Sequence, residues 1–185
     1  MQVLRTTLQD VVIVEPKVFG DERGFFLEVY NQATFGKLGL PTDFVQDNHS
    51  GSQKGVLRGL HYQLQQPQGK LVRVLRGAIY DVAVDLRRGS RQFGQWVAVE
   101  LTAENKRQLW VPPGFAHGFL TLAEFTEVSY KVTQLYAPQH ERSLLWSDPA
   151  LGIPWPLEGE PILSAKDRDG VPLAQAETYG DDELV

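Results

Sequence analysis

The sequence predicts an all-β fold of the barrel or jelly-roll type, and three observations carry that prediction. Helical periodicity is scarce. Short apolar or alternating runs bounded by Gly, Pro and Asp recur at even spacing, which is typical of an all-β sandwich or barrel. Gly and Pro punctuate the joints between these runs, as in LRGAIYDV and WVPPGFAHGF, and this favours the tight corners of a jelly roll. A β-sandwich of another topology is the alternative.

The predicted strands fill most of the chain up to residue 136. Each run is rich in Val, Leu, Phe or Tyr and is closed by turn-forming residues. In chain order they cover 11–16, 24–30, 44–50, 55–63, 70–77, 78–87, 95–102, 107–113, 117–123 and 126–136. One short helix is predicted over 31–40, with Asn31 as its cap and Gly39 as its stop. Beyond Pro138 the chain is rich in Pro and Gly, so we expect loops and turns laid over the β core.

Size and composition limit the classes of function. A chain of 185 residues fits one domain, 1–185. The net charge of −5 and the lack of a basic block disfavour nucleic-acid binding. No apolar run approaches the roughly 20 residues of a membrane span, and the first residues do not resemble a signal peptide, so we expect a cytoplasmic protein without membrane contact. The count of Cys is 0, which excludes disulfides, thiol nucleophiles and thiolate metal sites.

The stretch LRGLHYQ (57–63) carries polar side chains on both faces of a predicted strand. With a period of two residues, Gly59, His61 and Gln63 face one way, whereas Arg58 and Tyr62 face the other. An ordinary half-buried strand keeps its polar groups on one side. The pattern therefore suggests a strand that lines a wet cavity.

The four histidines bear on the question of a metal site. The segment around His61 and the segment PPGFAH (112–117), which ends in His117, resemble the two signature motifs of the cupin superfamily. Metal-dependent cupins supply His-x-His followed by Glu in the first motif, but here Gln63 replaces the second His and residues 64–69 contain no Glu. Two imidazoles are too few for a tight transition-metal site. We therefore expect no metal and no cofactor, and a metal-dependent dioxygenase is the weaker hypothesis. His49 and His140 are expected in the core or on the surface.

Longer segments resemble one family over nearly the whole chain. They are PKVFGDERGFFLEVYNQ, FVQDNHS, VLRGLHYQ, GKLVRVLRG, YDVAVDLR, FGQWVAVELTAENKRQLWVPPGFAHGF, YKVTQLYAP and LSAKD. Together and in this order they are similar to the dTDP-4-dehydrorhamnose 3,5-epimerases of deoxysugar biosynthesis. The resemblance implies a metal-free cupin-type double-stranded β-helix that works as a homodimer. It also implies the substrate dTDP-4-dehydro-6-deoxyglucose, which is inverted at carbons 3 and 5.

The resemblance assigns the chemistry to four side chains. Both carbons flank the keto group at carbon 4, so loss of either proton leaves an enolate, and reprotonation from the other face inverts the centre. His61 matches the family's base, and Asp167 matches the carboxylate that orients it. Tyr130 matches the acid on the opposite face. Lys70 matches the cation near the carbonyl oxygen, although without the resemblance it would be read as a solvated strand end.

The resemblance also implies a set of substrate contacts. These are Arg23, Glu28, Gln46, Asp47, Asn48, Arg58, Lys70, His117, Tyr136, Glu141 and Lys166. Tyr136 would stack on the thymine ring, and Asp81 would support the His61 side from behind. Counting in twos from Tyr130 reaches Tyr136, which predicts that both rings share one strand face. Arg58 and His61 have opposite parity, so a bulge at Gly59 is our hypothesis for how both reach the ligand.

Two alternatives to the 3,5-epimerase stay open. One is a sister enzyme on the same scaffold that inverts a single carbon or moves the keto group. The other is a catalytically silent cupin that only binds a nucleotide sugar. The presence of Tyr130 together with His61 and Asp167 argues against the silent cupin, because binding alone does not require a proton donor opposite a proton acceptor.

Overall fold

The computed structural model describes residues 1–180, and most residues in its regular secondary structure lie in β-strands. Within these residues the thirteen strands are β1 (Gln2–Arg5), β2 (Val12–Glu15), β3 (Val18–Asp21), β4 (Gly24–Leu27), β5 (Gln46–Gln53), β6 (Leu57–Gln63), β7 (Lys70–Arg76), β8 (Ala78–Asp85), β9 (Trp96–Thr102), β10 (Gln108–Val111), β11 (Phe115–Thr121), β12 (Phe125–Val132) and β13 (Glu141–Ser143). Two short α-helices, α1 (Gln32–Lys37) and α2 (Ala165–Arg168), and the 3₁₀ turns Pro138–His140 and Leu173–Gln175 complete the elements. None of the helices in this part of the chain could cross a membrane.

The strands form two antiparallel sheets and a separate hairpin. One sheet has the order β1-β2-β10-β7-β12-β5 and the other has the order β13-β6-β11-β8-β9, while β3 and β4 pair only with each other. The chain passes back and forth between the two sheets, since β6, β8 and β11 lie in one whereas β7, β10 and β12 lie in the other. Strands that alternate between two sheets make a jelly roll, so the predicted fold class is confirmed.

Three apolar clusters fix the layers. The first contains side chains of both sheets, such as Val72, Ala83 and Phe119, and therefore fills the space between them. The second joins the outer face of the five-stranded sheet to the C-terminal coil through Leu60, Trp155 and other side chains. The third seats α1 on the outer face of the six-stranded sheet. The five-stranded sheet is buried on both faces, which is why β8 and β11 read as nearly continuous apolar runs.

The predicted helix is confirmed at both ends. The side chain of Asn31 accepts a hydrogen bond from the backbone N–H of Thr34 at 3.1 Å, which is an N-terminal cap. Gly39 follows the helix with a φ of +71°, a conformation that glycine adopts without strain. The sequence pattern did not predict strands β1, β3 and β13. Its last strand, extended to residue 136, was predicted too long, because β12 ends at Val132.

The expected irregularity at Gly59 is confirmed. Gly59 has a φ of +110°, and the pairing of β6 with β11 shifts register between His117 and Phe119. A Cβ on Gly59 would lie 2.6 Å from Cα of Gly118 and from the carbonyl oxygen of His117. Only paired glycines let the two strands approach this closely. The shift breaks the simple alternation of β6 between Arg58 and His61.

Candidate active site

One cavity gathers most of the side chains that the sequence singled out. Its volume is about 310 Å³, and strands of both sheets supply its walls. Its lining comprises Gln46, Asn48, Ser50, Arg58, His61, Tyr62, Gln63, Gln68, Lys70, His117, Gly118, Phe119, Tyr130, Tyr136, Glu141 and Lys166. His61 comes from β6 of one sheet and Tyr130 from β12 of the other, so the two side chains reach the cavity from opposite walls.

A buried carboxylate holds the ring of His61. Nε2 of His61 lies 2.5 Å from Oδ1 of Asp167, and the same oxygen accepts the backbone N–H of Gly59 at 3.1 Å. Burial alone would raise the pKa of Asp167, but hydrogen bonds from His61, Ser164 and the Gly59 N–H outweigh it and lower that pKa to about 2. Because Asp167 is ionised, Nε2 carries the proton, and Nδ1 is left as the ring's acceptor.

The ring of His61 is itself poised to be neutral near pH 7. Burial lowers its pKa below 6.5, and the nearby ammonium groups of Lys166 and Lys70 act in the same direction. The hydrogen bond and the charge of Asp167 act against this shift without reversing it. A neutral imidazole with a fixed tautomer can accept a proton.

Tyr130 and Lys70 complete the polar interior. Burial raises the pKa of the Tyr130 phenol, and the guanidinium of Arg58 offsets part of that rise. The phenol is therefore protonated at neutral pH. Lys70 is 7% exposed, so reading it as a solvated strand end would be wrong. Its Nζ donates to the carbonyl oxygen of His61 at 3.2 Å, and burial lowers its pKa to about 8. At pH 7 it is still mainly a cation.

A second cluster of polar side chains surrounds Tyr136. Its hydroxyl donates to Oε2 of Glu141 at 2.9 Å, and Nζ of Lys166 donates to Oε1 of the same carboxylate at 2.8 Å. The backbone N–H of Tyr136 donates to the side chain of Gln46 at 3.0 Å. The ring itself is 51% exposed. Because β12 ends at Val132, the prediction that Tyr130 and Tyr136 share one strand face is wrong, although both rings line the same cavity.

Asp81 pairs with His117 and not with His61. Its Oδ1 lies 2.6 Å from Nε2 of His117, and both side chains are buried. The sheet register explains this correction. Asp81 lies on β8 opposite Phe119 of β11, two residues from His117, whereas β6 with His61 lies on the far side of β11.

Three expected contact residues do not line the cavity of this chain. Arg23 lies in the hairpin of β3 and β4 and pairs with Asp21 at 2.5 Å, with its side chain 86% exposed. Glu28 follows that hairpin and accepts from Asn31. Asp47 alternates with Gln46 and Asn48 on β5, so it faces away from the cavity and pairs with Lys131 at 2.9 Å.

Two serines near the site went unnoticed in the sequence. Ser50 lines the cavity, and the period of two along β5 from Gln46 and Asn48 would have found it. Ser164 donates to Oδ2 of Asp167 at 2.6 Å. Ser-x-x-Asp at 164–167 is a capping pattern that could have marked the start of α2.

Within residues 1–180 no group of three or more His, Asp or Glu side chains is arranged to hold a metal ion. His61 and His117 each direct Nε2 at a carboxylate of their own.

Comparisons with known proteins agree with one another. The family described as dTDP-4-dehydrorhamnose 3,5-epimerase matches residues 5–175. The dTDP-4-dehydrorhamnose 3,5-epimerase of Pseudomonas aeruginosa is 58% identical over 180 residues, which is 97% of this chain and 99% of that protein. The enzyme of the same name from Salmonella typhimurium is 60% identical over 178 residues, covering 95% of this chain and 97% of its own.

Solved structures extend the likeness to the fold. The dTDP-6-deoxy-D-glucose-3,5-epimerase of Legionella pneumophila, solved in complex with dTDP-4-keto-L-rhamnose, superposes with a TM-score of 0.93 at 51% identity, over 95% of this chain and 94% of that one. A 3′-monoepimerase of Streptomyces bikiniensis, in complex with dTDP-quinovose, gives a TM-score of 0.86 at 35% identity, over 91% of this chain and 86% of its own.

Proposed function

Since the chain belongs to the dTDP-4-dehydrorhamnose 3,5-epimerase family and is therefore an isomerase, we propose that its cavity inverts carbons 3 and 5 of dTDP-4-dehydro-6-deoxy-D-glucose. The product is dTDP-4-dehydro-L-rhamnose, an intermediate of dTDP-L-rhamnose biosynthesis. The observation that carries the proposal is the pair of opposed groups, His61 backed by buried Asp167 on one wall and Tyr130 on the other.

In the first half of each inversion, His61 removes a proton. Nδ1 of the neutral ring takes the proton from carbon 3 or carbon 5, the C–H bond breaks, and its electron pair moves through the new double bond onto the oxygen at carbon 4. The ionised Asp167 stabilises the imidazolium that forms. The pKa of His61 lies below 6.5, so the base is available at neutral pH.

In the second half, the enolate is held and then reprotonated. The ammonium of Lys70, which is itself buried, stabilises the negative oxygen, an effect typically worth about 3 kcal/mol. The phenol of Tyr130 gives its proton to the carbon from the opposite face, and the configuration inverts. His61 and Tyr130 exchange protons with solvent before the second carbon reacts.

The nucleotide half of the substrate needs cations and a stacking ring. We assign the diphosphate to Arg58 and Lys166, and the thymine ring to Tyr136, whose face is half exposed. Gln46, Asn48, His117 and Glu141 supply the remaining polar contacts of the lining. Guanidinium groups suit a diphosphate because they donate in a fork.

We further propose that two copies of the chain complete each site. The hairpin of β3 and β4 leaves Phe19, Phe25 and Phe26 exposed at 52%, 60% and 70%, which is unusual for apolar rings that stay in water. Docking of this hairpin on a second copy would bury them and would carry Arg23 and Glu28 toward the neighbouring cavity. Phe26→Asp should therefore shift a dimer to monomers in sedimentation equilibrium, with Glu22→Ala on the same hairpin as control. A dimer unaffected by Phe26→Asp would refute this arrangement.

The chain is proposed to act as one domain, 1–185, in the cytoplasm. The absence of cysteine from all 185 residues accords with a reducing compartment.

An NMR time course of the substrate in heavy water tests the activity. We expect deuterium at both carbons 3 and 5 with the wild type, and none at either with His61→Asn. Tyr130→Phe should suppress turnover and keep exchange on the base side. Exchange at one carbon only would identify the single-carbon epimerase, for which the likeness to the 3′-monoepimerase is the supporting observation. Binding without exchange would identify a silent binder.

A further inference from the structure

The buried carboxylate of Asp167 has a second side-chain partner besides His61. Oδ1 accepts from Nε2 of His61 and from the N–H of Gly59, and Oδ2 accepts from the hydroxyl of Ser164 at 2.6 Å. The hydroxyl of Ser164 in turn accepts the backbone N–H of Asp167 at 3.2 Å. Both oxygens are therefore engaged, and rotation of the carboxylate away from His61 would break the Ser164 contact as well.

The backbone on either side ties Ser164 to the strand that carries His61. Two residues before it, Ile162 donates to the carbonyl oxygen of Gly55 at 2.8 Å and accepts from the N–H of Leu57 at 3.1 Å. Ser164 is thus anchored at the start of β6, and Asp167 reaches the same strand further along at His61 and Gly59. This anchoring fixes the distance between the serine and the ring.

On the premise of the proposed function, we propose that Ser164 is a positioning residue for the His61–Asp167 pair. Its hydroxyl proton holds Oδ2 of Asp167, which keeps Oδ1 directed at Nε2 of His61 and keeps the carboxylate ionised. The proton on Nε2 is fixed by that contact, and Nδ1 is left as the base. Ser164 does not touch the substrate and acts through Asp167 alone.

The competing explanation is that Ser164 only caps α2. A cap requires an acceptor for the N–H of Asp167, whereas positioning requires a donor to its carboxylate. Three substitutions separate the two roles. Ser164→Thr keeps the donor and the acceptor, Ser164→Ala removes both, and Ser164→Asp keeps the acceptor but has no proton to donate when ionised. Ser164 is exposed, so all three side chains have room.

The test measures kcat and kcat/KM for the epimerisation as a function of pH, with thermal unfolding of each variant alongside. We expect Ser164→Ala to lower kcat about 10- to 100-fold, the range for loss of one hydrogen bond to a charged group. Ser164→Asp should lose at least as much, and Ser164→Thr should stay within about threefold of the wild type. When Asp167 releases the ring, His61 loses the contact that raises its pKa, so the acid limb of kcat/KM should move to lower pH in Ser164→Ala. In Ser164→Asp the added carboxylate opposes this shift, because a negative charge near His61 raises its pKa.

The outcomes separate cleanly. Wild-type kinetics for Ser164→Asp, or a loss of rate in Ser164→Ala with an unmoved acid limb, would assign Ser164 to capping and overturn the proposal. In the background of Asp167→Asn, Ser164→Ala should reduce kcat by less than about twofold, because the two residues act as one unit; additive losses would also overturn it. If the wild type itself exchanges neither proton, the proposed function fails first, and the wild-type arm of the heavy-water experiment detects that separately.

Discussion

Replacing Lys70 by Met should make the protein more stable while it removes most of the activity. Lys70 is 7% exposed, and burial lowers its pKa from 10.5 to about 8. Each tenfold change in proton affinity is worth about 1.36 kcal/mol, so burying the charge at pH 7 costs about 3 kcal/mol. Lys70→Met also removes the hydrogen bond to the carbonyl oxygen of His61, and this loss destabilises the variant by about 1 kcal/mol. The net expectation is about 2 kcal/mol more free energy of unfolding for Lys70→Met.

The pH dependence has a definite sign. A lysine whose folded pKa is lowered destabilises the fold fully below about pH 8, and the penalty disappears as the pH rises toward 10.5, where the unfolded chain also loses its proton. The advantage of Lys70→Met over the wild type should therefore be constant below pH 8 and shrink between pH 8 and 10.5. The Lys70 ammonium also lowers the pKa of His61, so His61 titrates differently in the two proteins, but it does so below pH 6.5. From pH 7 upward the difference in stability therefore reports on Lys70.

Urea unfolding at several pH values measures the difference, with Lys37→Met as the matched control, since Lys37 is exposed in α1. The control should change stability by less than about 0.5 kcal/mol at every pH. Turnover of Lys70→Met should fall about 10²- to 10³-fold, as expected when an oxyanion partner is removed. A Lys70→Met protein less stable than the wild type at pH 7, or a difference independent of pH up to 10.5, would refute the reasoning.

Three further predictions address packing and the cavity. Gly118→Ala would place Cβ 2.6 Å from the carbonyl oxygen of Arg58 and should lower the free energy of unfolding in urea by about 1–3 kcal/mol. Gly20→Ala is the control and should have little effect, because its Cβ would meet nothing closer than 3.7 Å. Equal stabilities of the two variants would contradict the close approach of the strands at Gly118. Ser50→Ala removes a buried hydroxyl with no hydrogen-bond partner among the described residues and should raise the free energy of unfolding by about 1 kcal/mol, and a lower melting temperature would count against it. Tyr136→Phe keeps the ring but loses the bond to Glu141, so KM should rise a few-fold at constant kcat, and a fall in kcat alone would argue against a binding role.

The period of two residues predicted the strand faces well where a strand is regular. Gln46 and Asn48 line the cavity and Asp47 does not, as alternation along β5 requires. The resemblance grouped all three as contacts, because a motif records neighbours in sequence and not the face on which each side chain lies. The strand face predicted for Tyr136 by alternation was wrong, because no residue in TQLY indicates that β12 ends at Val132.

Other features depend on contacts between distant segments and could not be read from local pattern. The partner of Asp81 follows from the order of β6, β11 and β8 in the sheet, which parity within one strand does not specify. The short helix α2 has only four residues, too few for a periodic signal, so the resemblance alone supplied Asp167. The bulge at Gly59 was inferred from a conflict of parity, and the register shift at His117 bears it out.

His61 and Asp167, the proposed base and the carboxylate that orients it, lie 106 residues apart in sequence. His61 belongs to a strand that pairs with a neighbouring strand on each side. Asp167 lies on the C-terminal coil, which apolar contacts and isolated bridges such as Val56 to Ile162, but no continuous ladder, join to the barrel. Segments held by few backbone contacts open first. On warming, catalysis should consequently fade several degrees before the sheets melt, and cooling should restore it without refolding of the barrel.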